Sequence, residues 1–572
     1  MIVIPAFSGM TGICGALLVI FLATLIVYWP AFNGDWLWDD DASIYRNPVV
    51  TQQDGIHRIW LSTEDYDYWP MTKTVLWTMY RFFKDHPAGY HTVNILFHAL
   101  AAILVYLSLR RLGFPGAWLA GMVFALHPVN ASSVVWVSEL KNTLSMIFLC
   151  LTMLTWVRFD RTKRFPFYVL SLIFFGLSLA SKTSIVMFPV FLLVLGWWRH
   201  DRMARKAFFL SLPFFGLSLI MAGMTLFAQG RYFDTLTNPL DGIYRLAGAG
   251  WVAWFYLYKT LLPINLSMIY PHWKGTIESS GWTAFIPTAA WLMVFFVLWL
   301  KRRTWWGRPG LFAMAYVTLM MFPVMGFFKM TFMRHSLVAD HFLYAPMVGI
   351  IALGCSAFME VTGRMKPSHR RLAGIAVVVL FLTLANVTFK RAQVLKFPQA
   401  LWRDTIEKNP HAWMAHYNLG FEMSRRAEGT LRKYSEMLKE AQNLMERARI
   451  LKATGKKDLA EKKRQAAHGK KGHADALIRQ ARAGHLLALR HYERALHLQP
   501  LYIHSYNNLG LSLVRLRRPD EAIKIFRKGL EIDQKIHPHT KKQSDELRHN
   551  LNLALEEKRE GRLFEKQERI VW

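Results

Sequence analysis

At 572 residues the chain is long enough for several domains, and it is 53% hydrophobic, with 22 Trp and 39 Phe, yet carries a formal charge of +31. That combination excludes a single soluble domain. The conflict is resolved by segregation, since apolar runs of membrane-spanning length fill residues 1–390 and are missing from 400–572. Cys14, Cys150 and Cys355 lie inside apolar runs, which argues against a disulfide framework.

The N-terminus has no basic segment and no small-residue cleavage site before Tyr28, so it reads as a retained first helix. Candidate spans are 12–30, 91–109, 114–127, 140–157, 166–181, 184–198, 206–228, 283–300, 310–328, 338–357 and 371–389. Basic clusters mark one side of the bilayer: Arg110–Arg111, Arg158–Arg164, Arg199–Lys206, Lys301–Arg308 and Arg364–Arg371. The positive-inside rule makes these cytoplasmic. The Asp39 loop, 128–139, Lys182, 229–282 and 329–337 then share the outer face. Residues 243–262 are apolar enough to span, but a crossing there would put Lys301–Arg308 outside; with Arg245, Gly248, Gly250 and Lys259 the run reads as re-entrant or interfacial. This gives eleven crossings with the C-terminus outside. A twelfth would move the C-terminal domain to the cytoplasm.

The stretch DWLWDDDASIYRN, 35–47, follows the first span and sets Asp39, Asp40 and Asp41 just past the membrane boundary, between interface-seeking Trp36 and Trp38 and the polar chain beyond. Carboxylates held this close repel, so one pKa should rise unless a cation compensates. The setting suits a general base or a metal-assisted carboxylate; it equally suits a solvated loop that stops the helix. Ionisable groups near the membrane are costly, and the outer face collects many: Asp39 and Asp40, His91, His98, His127, Glu139 and Lys141, Lys182, Arg334, His335, Asp340 and His341. Each alone is explained by capping or packing. Together they fit a site in which carboxylates serve chemistry while Lys182, Arg334 or His335 hold a phosphate.

The acidic pair of the first outer loop, GYHTVNILFHAL (89–100), HPVNASSVVWVSELKN (127–142), a Lys after the fifth span and VADHFLYAP (338–346) occur in this order along nearly the whole chain. In this the chain resembles the TMTC-type O-mannosyltransferases and their bacterial relatives, membrane glycosyltransferases of the GT-C class with appended tetratricopeptide repeats. The resemblance implies an extracytoplasmic active site and a polyprenyl-phosphate sugar donor. The family's Asp pair aligns with Asp39–Asp40, because Ile44 and Asn47 then fall where its Ile and Asn stand; Asp41 is extra. Two positions depart. An acidic residue common five positions after the His of HP is Ser132 here, which leaves Glu139 as the candidate second carboxylate. The Arg of the family's ADRYLY is His341, which would make phosphate contact there pH-dependent. The implied site thus comprises Asp39, Asp40 and Glu139 as catalytic carboxylates and Lys182, Arg334, His335 and His341 as phosphate contacts. His91, His127, Asp340 and Tyr344 are further candidates. No motif fixes a cofactor; a divalent cation, Mg or Mn, is compatible with the acidic loop.

After Lys390 the chain changes character. AWMAHYNLG (412–420) and HSYNNLG (504–510) open two tetratricopeptide repeats. The second is regular, with Leu509, Gly510, Ala522, Phe526 and Gly529 at the packing positions. The first opens at Leu419 and Gly420 but closes at Ala488, Tyr492, Ala495 and Pro500, so an insertion at about 425–482 separates its helices. The insertion is rich in helix formers and carries 17 Lys/Arg against 7 Asp/Glu. Gly455 and Gly469–Gly472 offer breaks in a projecting hairpin. Its basic surface is a solvated face or a contact for anionic lipid or an acidic acceptor; nucleic acid is poorly supported, because stacking aromatics are nearly absent. A helix at 542–560 should cap the solenoid through Leu547, Leu551, Ala554 and Leu555.

The expected fold is all-α: a polytopic GT-C-like bundle of about 11 spans over 1–395, then a tetratricopeptide α-solenoid over 396–572 with a long helical insertion. The expected function is transfer of a sugar such as mannose from a polyprenyl phosphate to Ser or Thr of a protein held by the repeats. A glycan or lipid acceptor, and a non-enzymatic scaffold or transporter, are the competing readings. The chain is expected in a bacterial cytoplasmic membrane with site and repeats on the periplasmic face, or in the endoplasmic reticulum facing the lumen.

Overall fold

A computed structural model describes residues 10–65, 67–200, 205–230, 240–328, 330–536 and 542–568. Residues 1–9, 201–204 and 231–239 lie outside the described residues; the N-terminal reading, the Arg199–Lys206 cluster and the 229–282 region rest partly on them. Among the described residues all regular structure is helical, and the chain divides into two units, Met1–Leu401 and Trp402–Trp572.

In the first unit six helices are long and apolar enough to cross a bilayer: Pro87–Leu112, Val137–Thr162, Thr183–His200, Arg205–Gly230, Gly281–Leu300 and Pro367–Val394. The unit is that of an integral membrane protein. Ala117–Leu126 and Pro128–Val135, bent by 48° at their junction, make a seventh span if counted together. Pro128 has no N–H to continue the first of these helices, which therefore stops after ten residues. Gly12–Val27, Phe165–Ser181 and Met347–Gly363 are apolar but shorter. All eleven expected runs fall on helices, with shifted edges. The run placed at 338–357 becomes helical only at Met347, after the buried 3-10 turn Asp340–Leu343, and the run placed at 310–328 ends as an α-helix at Met321. Irregular backbone at that depth is tolerated because protein covers it.

Proline opens several of these helices, and a left-handed residue closes two of them, Pro87–Leu112 and Val137–Thr162. Pro87 opens Pro87–Leu112, and Gly113 at φ +86° closes it. Adjacent spans are tied by small polar side chains, as where Ser178 Oγ donates to the Ser145 carbonyl at 2.7 Å. The debated 243–262 run is one helix, Tyr244–Leu261, and is not among the six. It buries Gly248 and Gly250 while Leu246 and Leu261 stay exposed. A Cβ on Gly250 would stand 2.3 Å from Thr288 Oγ1, so only glycine allows this approach to the Ile286–Leu300 helix.

The second unit opens with two long antiparallel arms, Trp413–Ala453 and Lys457–Leu498, joined at Gly455 with φ +77°. Ala460, Ala467, Ala474, Ala481, Ala488 and Ala495 recur every seven residues along the second arm and are all buried. Gly420, Ala427, Ala441 and Ala448 keep the same register on the first, with Tyr434 at the position between Ala427 and Ala441. A strict seven-residue repeat keeps one seam facing the partner helix. The expected break at Gly469–Gly472 does not occur. Each glycine costs about 1 kcal/mol in a helix interior, too little to interrupt an arm held by a continuous seam. The Ile503–Arg515 and Pro519–Ile536 pair forms the regular repeat, and Lys542–Glu568 follows with Leu547 and Ala554 buried. Both repeats close on the same contact, glycine against an aromatic ring: Gly420 on Tyr492, Gly510 on Phe526.

A Cβ on Gly510 would meet Phe526 Cε1 at 2.4 Å, and that ring is fully buried. Gly510→Ala is therefore expected to destabilise the repeat by about 1–3 kcal/mol through overpacking. Hydrogen exchange should speed up in 503–536 and stay unchanged in the membrane helices; unaltered exchange in 503–536 would contradict the packing described.

Candidate active site

The acidic loop is a tight turn. Trp38 sits at φ +46°, a conformation rarely adopted by a bulky residue. The turn is closed twice between Leu37 and Asp40: the Asp40 N–H donates to the Leu37 carbonyl at 2.9 Å, and the Leu37 N–H donates to Asp40 Oδ2 at 2.9 Å. Asp40 Oδ1 then accepts from the Ser138 N–H at 2.7 Å and the Ser138 hydroxyl at 2.6 Å. Ser138 stands in the first turn of the Val137–Thr162 span, where backbone N–H groups lack helical partners. Asp40, fully buried, thus ties the first loop to the start of that span. Burial and the adjacent Asp39 push its carboxyl up to about 7, against the donors that favour the ionised form.

Asp39 points elsewhere. It is half-buried, and its Oδ1 accepts from Trp136 Nε1–H at 3.1 Å. Trp38 stacks on Trp136 with ring centres 5.4 Å apart and planes within 5°, and the indole of Trp38 also meets His335 edge-on at 5.6 Å. Desolvation pushes the Asp39 carboxyl up to about 6, with the Lys141 ammonium pulling the other way. A carboxylate poised there is ionised at neutral pH yet close enough to its pKa to take a proton.

Beside it lies a buried ion cluster. Glu139 Oε1 is 2.6 Å from Lys141 Nζ, and Glu139 Oε2 is 3.6 Å from Lys182 Nζ. Asn142 bridges the two sides, donating to Glu139 Oε2 and accepting from Lys182 Nζ, each at 2.5 Å. Lys182 comes from extended backbone between Phe165–Ser181 and the turn Thr183–Ile185, and its ammonium lies 5.7 Å over the Phe342 ring. Lys141 sits 4.3 Å over Trp69. Asp39 and Asp67 also act on Lys141, so the cluster holds its own counter-charges, and an incoming anion would meet two ammonium groups already partnered by carboxylates.

The histidines differ from their expected role. His341 Nε2 is 3.8 Å from Glu139 Oε1 and packs edge-on against Trp136 and Phe332, and His335 is equally buried. Desolvation lowers both to about 3, so each is neutral through the working pH range. Arg334 is exposed and donates to His335 Nε2 at 3.3 Å. His91, His127, Asp340 and Tyr344 make structural hydrogen bonds instead: His91 with the Asp35 carbonyl, His127 with that of Thr260, Asp340 with the Tyr270 hydroxyl and Tyr344 with His98. Ser132, at the family's acidic position, bonds only locally, with its hydroxyl 3.3 Å from the Val129 carbonyl.

Sequence reasoning left Trp136, Ser138 and Asn142 outside the site and gave Lys141 a place on the outer face without a role. All four stand inside the HPVNASSVVWVSELKN stretch. A polar patch beyond Trp69 was also missed, where Lys73 pairs with Asp65 at 2.6 Å and Asn47 donates to the same carboxylate. Among the described residues no group of three His, Cys, Asp or Glu side chains is arranged to hold a metal. Asp39 and Asp40 turn to different partners. An apolar cavity of about 70 Å³ lies at the other end of the Pro87–Leu112 helix, lined by Leu109, Leu112, Phe191, Phe312 and Tyr316. It holds none of the site's charged residues.

Residues 67–224 match the family model described as "Dolichyl-phosphate-mannose-protein mannosyltransferase", a window that holds Trp136, Glu139, Lys141 and Lys182 but not Asp39. Residues 503–536 match a tetratricopeptide repeat model. The Caenorhabditis elegans "Protein O-mannosyl-transferase F38B6.6" is 23% identical over 425 residues, 71% of this chain and 59% of that protein. The human "Protein O-mannosyl-transferase TMTC4" is 21% identical over 480 residues, 73% of this chain and 64% of that protein. The chain is similar to the TMTC-type protein O-mannosyltransferases. It spans about six-tenths of the length of these curated relatives. The yeast Tom70 crystal structure aligns with 81% of the chain at 13% identity and a TM-score of 0.15, which carries no argument.

Glu139→Gln would leave Lys141 and Lys182 buried without their carboxylate, since the three side chains are only 3–11% exposed. Removing one partner of a buried ion pair costs about 3–5 kcal/mol. The variant in detergent is expected to melt well below the wild type; an unchanged melting temperature would show that the cluster does not stabilise the fold.

Proposed function

We propose that the chain is a membrane glycosyltransferase that moves a sugar, mannose by similarity to its relatives, from a polyprenyl-phosphate donor to an acceptor hydroxyl. The single observation that carries this reading is the partly exposed Asp39 side chain beside the Glu139–Lys141–Lys182 cluster. Asp39 takes the acceptor proton while the hydroxyl oxygen attacks the anomeric carbon. The bond from that carbon to the phosphate oxygen breaks, and the polyprenyl phosphate leaves with one more negative charge. Protonation of Asp39 removes a negative charge from the site as the phosphate gains one, so the Lys141 and Lys182 ammonium groups stabilise the leaving group more strongly as the bond breaks. A single displacement of this kind inverts the anomeric centre.

Glu139 serves as the counter-charge that keeps both lysines ionised within the protein. Asp40 fixes the loop so that Asp39 keeps its direction, and Trp38 and Trp136 form an aromatic wall beside it. His335 and His341 shape the wall as neutral groups, and exposed Arg334 meets the phosphate from the outer edge. The reaction takes place on the face opposite the basic loops, which is the periplasm for a bacterial cytoplasmic membrane and the lumen for the endoplasmic reticulum. The acceptor is most simply Ser or Thr of a protein chain engaged by the repeats.

Asp39→Asn keeps the Trp136 hydrogen bond but removes the base. Turnover is expected to fall roughly 100-fold or more with donor binding retained. In the wild type, kcat/KM should fall as pH drops through about 6, because only ionised Asp39 accepts the proton. Full turnover by Asp39→Asn, or a rate independent of pH between 5 and 8, would overturn the assignment.

A further inference from the structure

The hairpin of the second unit has a tip unlike the rest of it. Residues 447–464 carry eight Lys and Arg against two acidic residues. Within the whole stretch 425–482 the large apolar side chains that stand exposed are Ile450, at 57%, and Leu459, at 46%. Both lie at the tip, one on each side of the Gly455 turn, and the exposed Lys452, Lys456, Lys457 and Lys462 surround them.

The arms below the tip are built for stiffness. Alanine every seventh residue lets them approach closely, and the Cβ that Gly484 lacks would be 3.1 Å from the Ala427 Cβ. An arm of 41 residues is about 60 Å long at 1.5 Å per residue. Such a rod presents its tip in one orientation and pays little conformational entropy on docking.

We propose that the hairpin tip docks on an anionic phospholipid bilayer surface. Lysine and arginine near such a surface each add to binding through the negative surface potential, and their aliphatic stems lie along the headgroup layer. Ile450 and Leu459 enter the boundary between headgroups and acyl chains, as the apolar side of interfacial segments does. An acidic protein would satisfy the lysines but gives no reason for two aliphatic side chains at the apex. Nucleic acid lacks aromatic partners there.

The test uses the full chain in nanodiscs of phosphatidylcholine, mixed with vesicles of phosphatidylcholine alone or with 30% phosphatidylglycerol by composition, and followed by flotation. The expected result is binding at least about tenfold tighter to the anionic vesicles, released by raised salt. The variant Lys452→Gln, Lys456→Gln, Lys457→Gln, Lys462→Gln should lose that preference, and Ile450→Ser with Leu459→Ser should weaken binding to anionic vesicles while leaving helicity intact. Equal binding to both vesicles, or wild-type binding by the lysine variant, would overturn the proposal. Retention on immobilised polyglutamate without vesicle binding would assign the tip to an acidic polypeptide and overturn it equally.

Discussion

Glu139 has 3% of its side chain exposed and two ammonium groups within 3.6 Å. Charges buried at a membrane boundary are tolerated only when paired and hydrogen-bonded. That requirement shapes the surrounding fold. It needs the helix start broken at Trp136, so that Glu139, Lys141 and Asn142 converge on Lys182 from the neighbouring span. It needs the first turn of Val137–Thr162 capped from outside, which Asp40 does through Ser138. And it needs an aromatic cover, supplied by Trp69, Trp136 and Phe342.

Neighbouring residues of one type perform opposite tasks here. Asp40 spends both oxygens on N–H and O–H donors and is closed to solvent. Asp39, one residue earlier, accepts from an indole and stays half-open. The left-handed backbone at Trp38 opens the turn that carries both. Strain at that residue is held by the stacked Trp136 and the doubly closed Leu37–Asp40 turn. A loop fixed this firmly is preorganised for chemistry in a way that a solvated helix stop is not.

Much of the architecture was legible because apolar length and repeat spacing are strong signals. All eleven apolar runs are helices, and Gly510–Phe526 is one of the packing contacts that the repeat pattern anticipates. Edges were less legible. The turns at Pro128 and Asp340–Leu343 depend on tertiary cover, which periodicity does not encode. Gly469 and Gly472 read as breaks because propensity was weighed without the alanine seam that overrides it. At the site, residue types were visible but their pairing was not. Lys141 stands two positions after Glu139 in the sequence, and its ammonium turns back to 2.6 Å from that carboxylate, a pairing that spacing alone does not reveal. His341 carried the expectation of a pH-dependent phosphate contact; the fold buries it against Trp136 and Phe332, 3.8 Å from Glu139.

The account rests on the lysine cluster as the seat of the donor phosphate. The most direct measurement is the affinity of the purified chain for a polyprenyl-phosphate sugar, by calorimetry in nanodiscs, in the wild type and in Lys182→Met. Loss of one charged hydrogen-bonding partner to phosphate, about 1.5–3 kcal/mol, predicts affinity lower by roughly tenfold to a hundredfold with the melting behaviour of a folded protein. Equal affinity in a folded Lys182→Met would contradict the account and leave Lys182 as a structural partner of Glu139 alone.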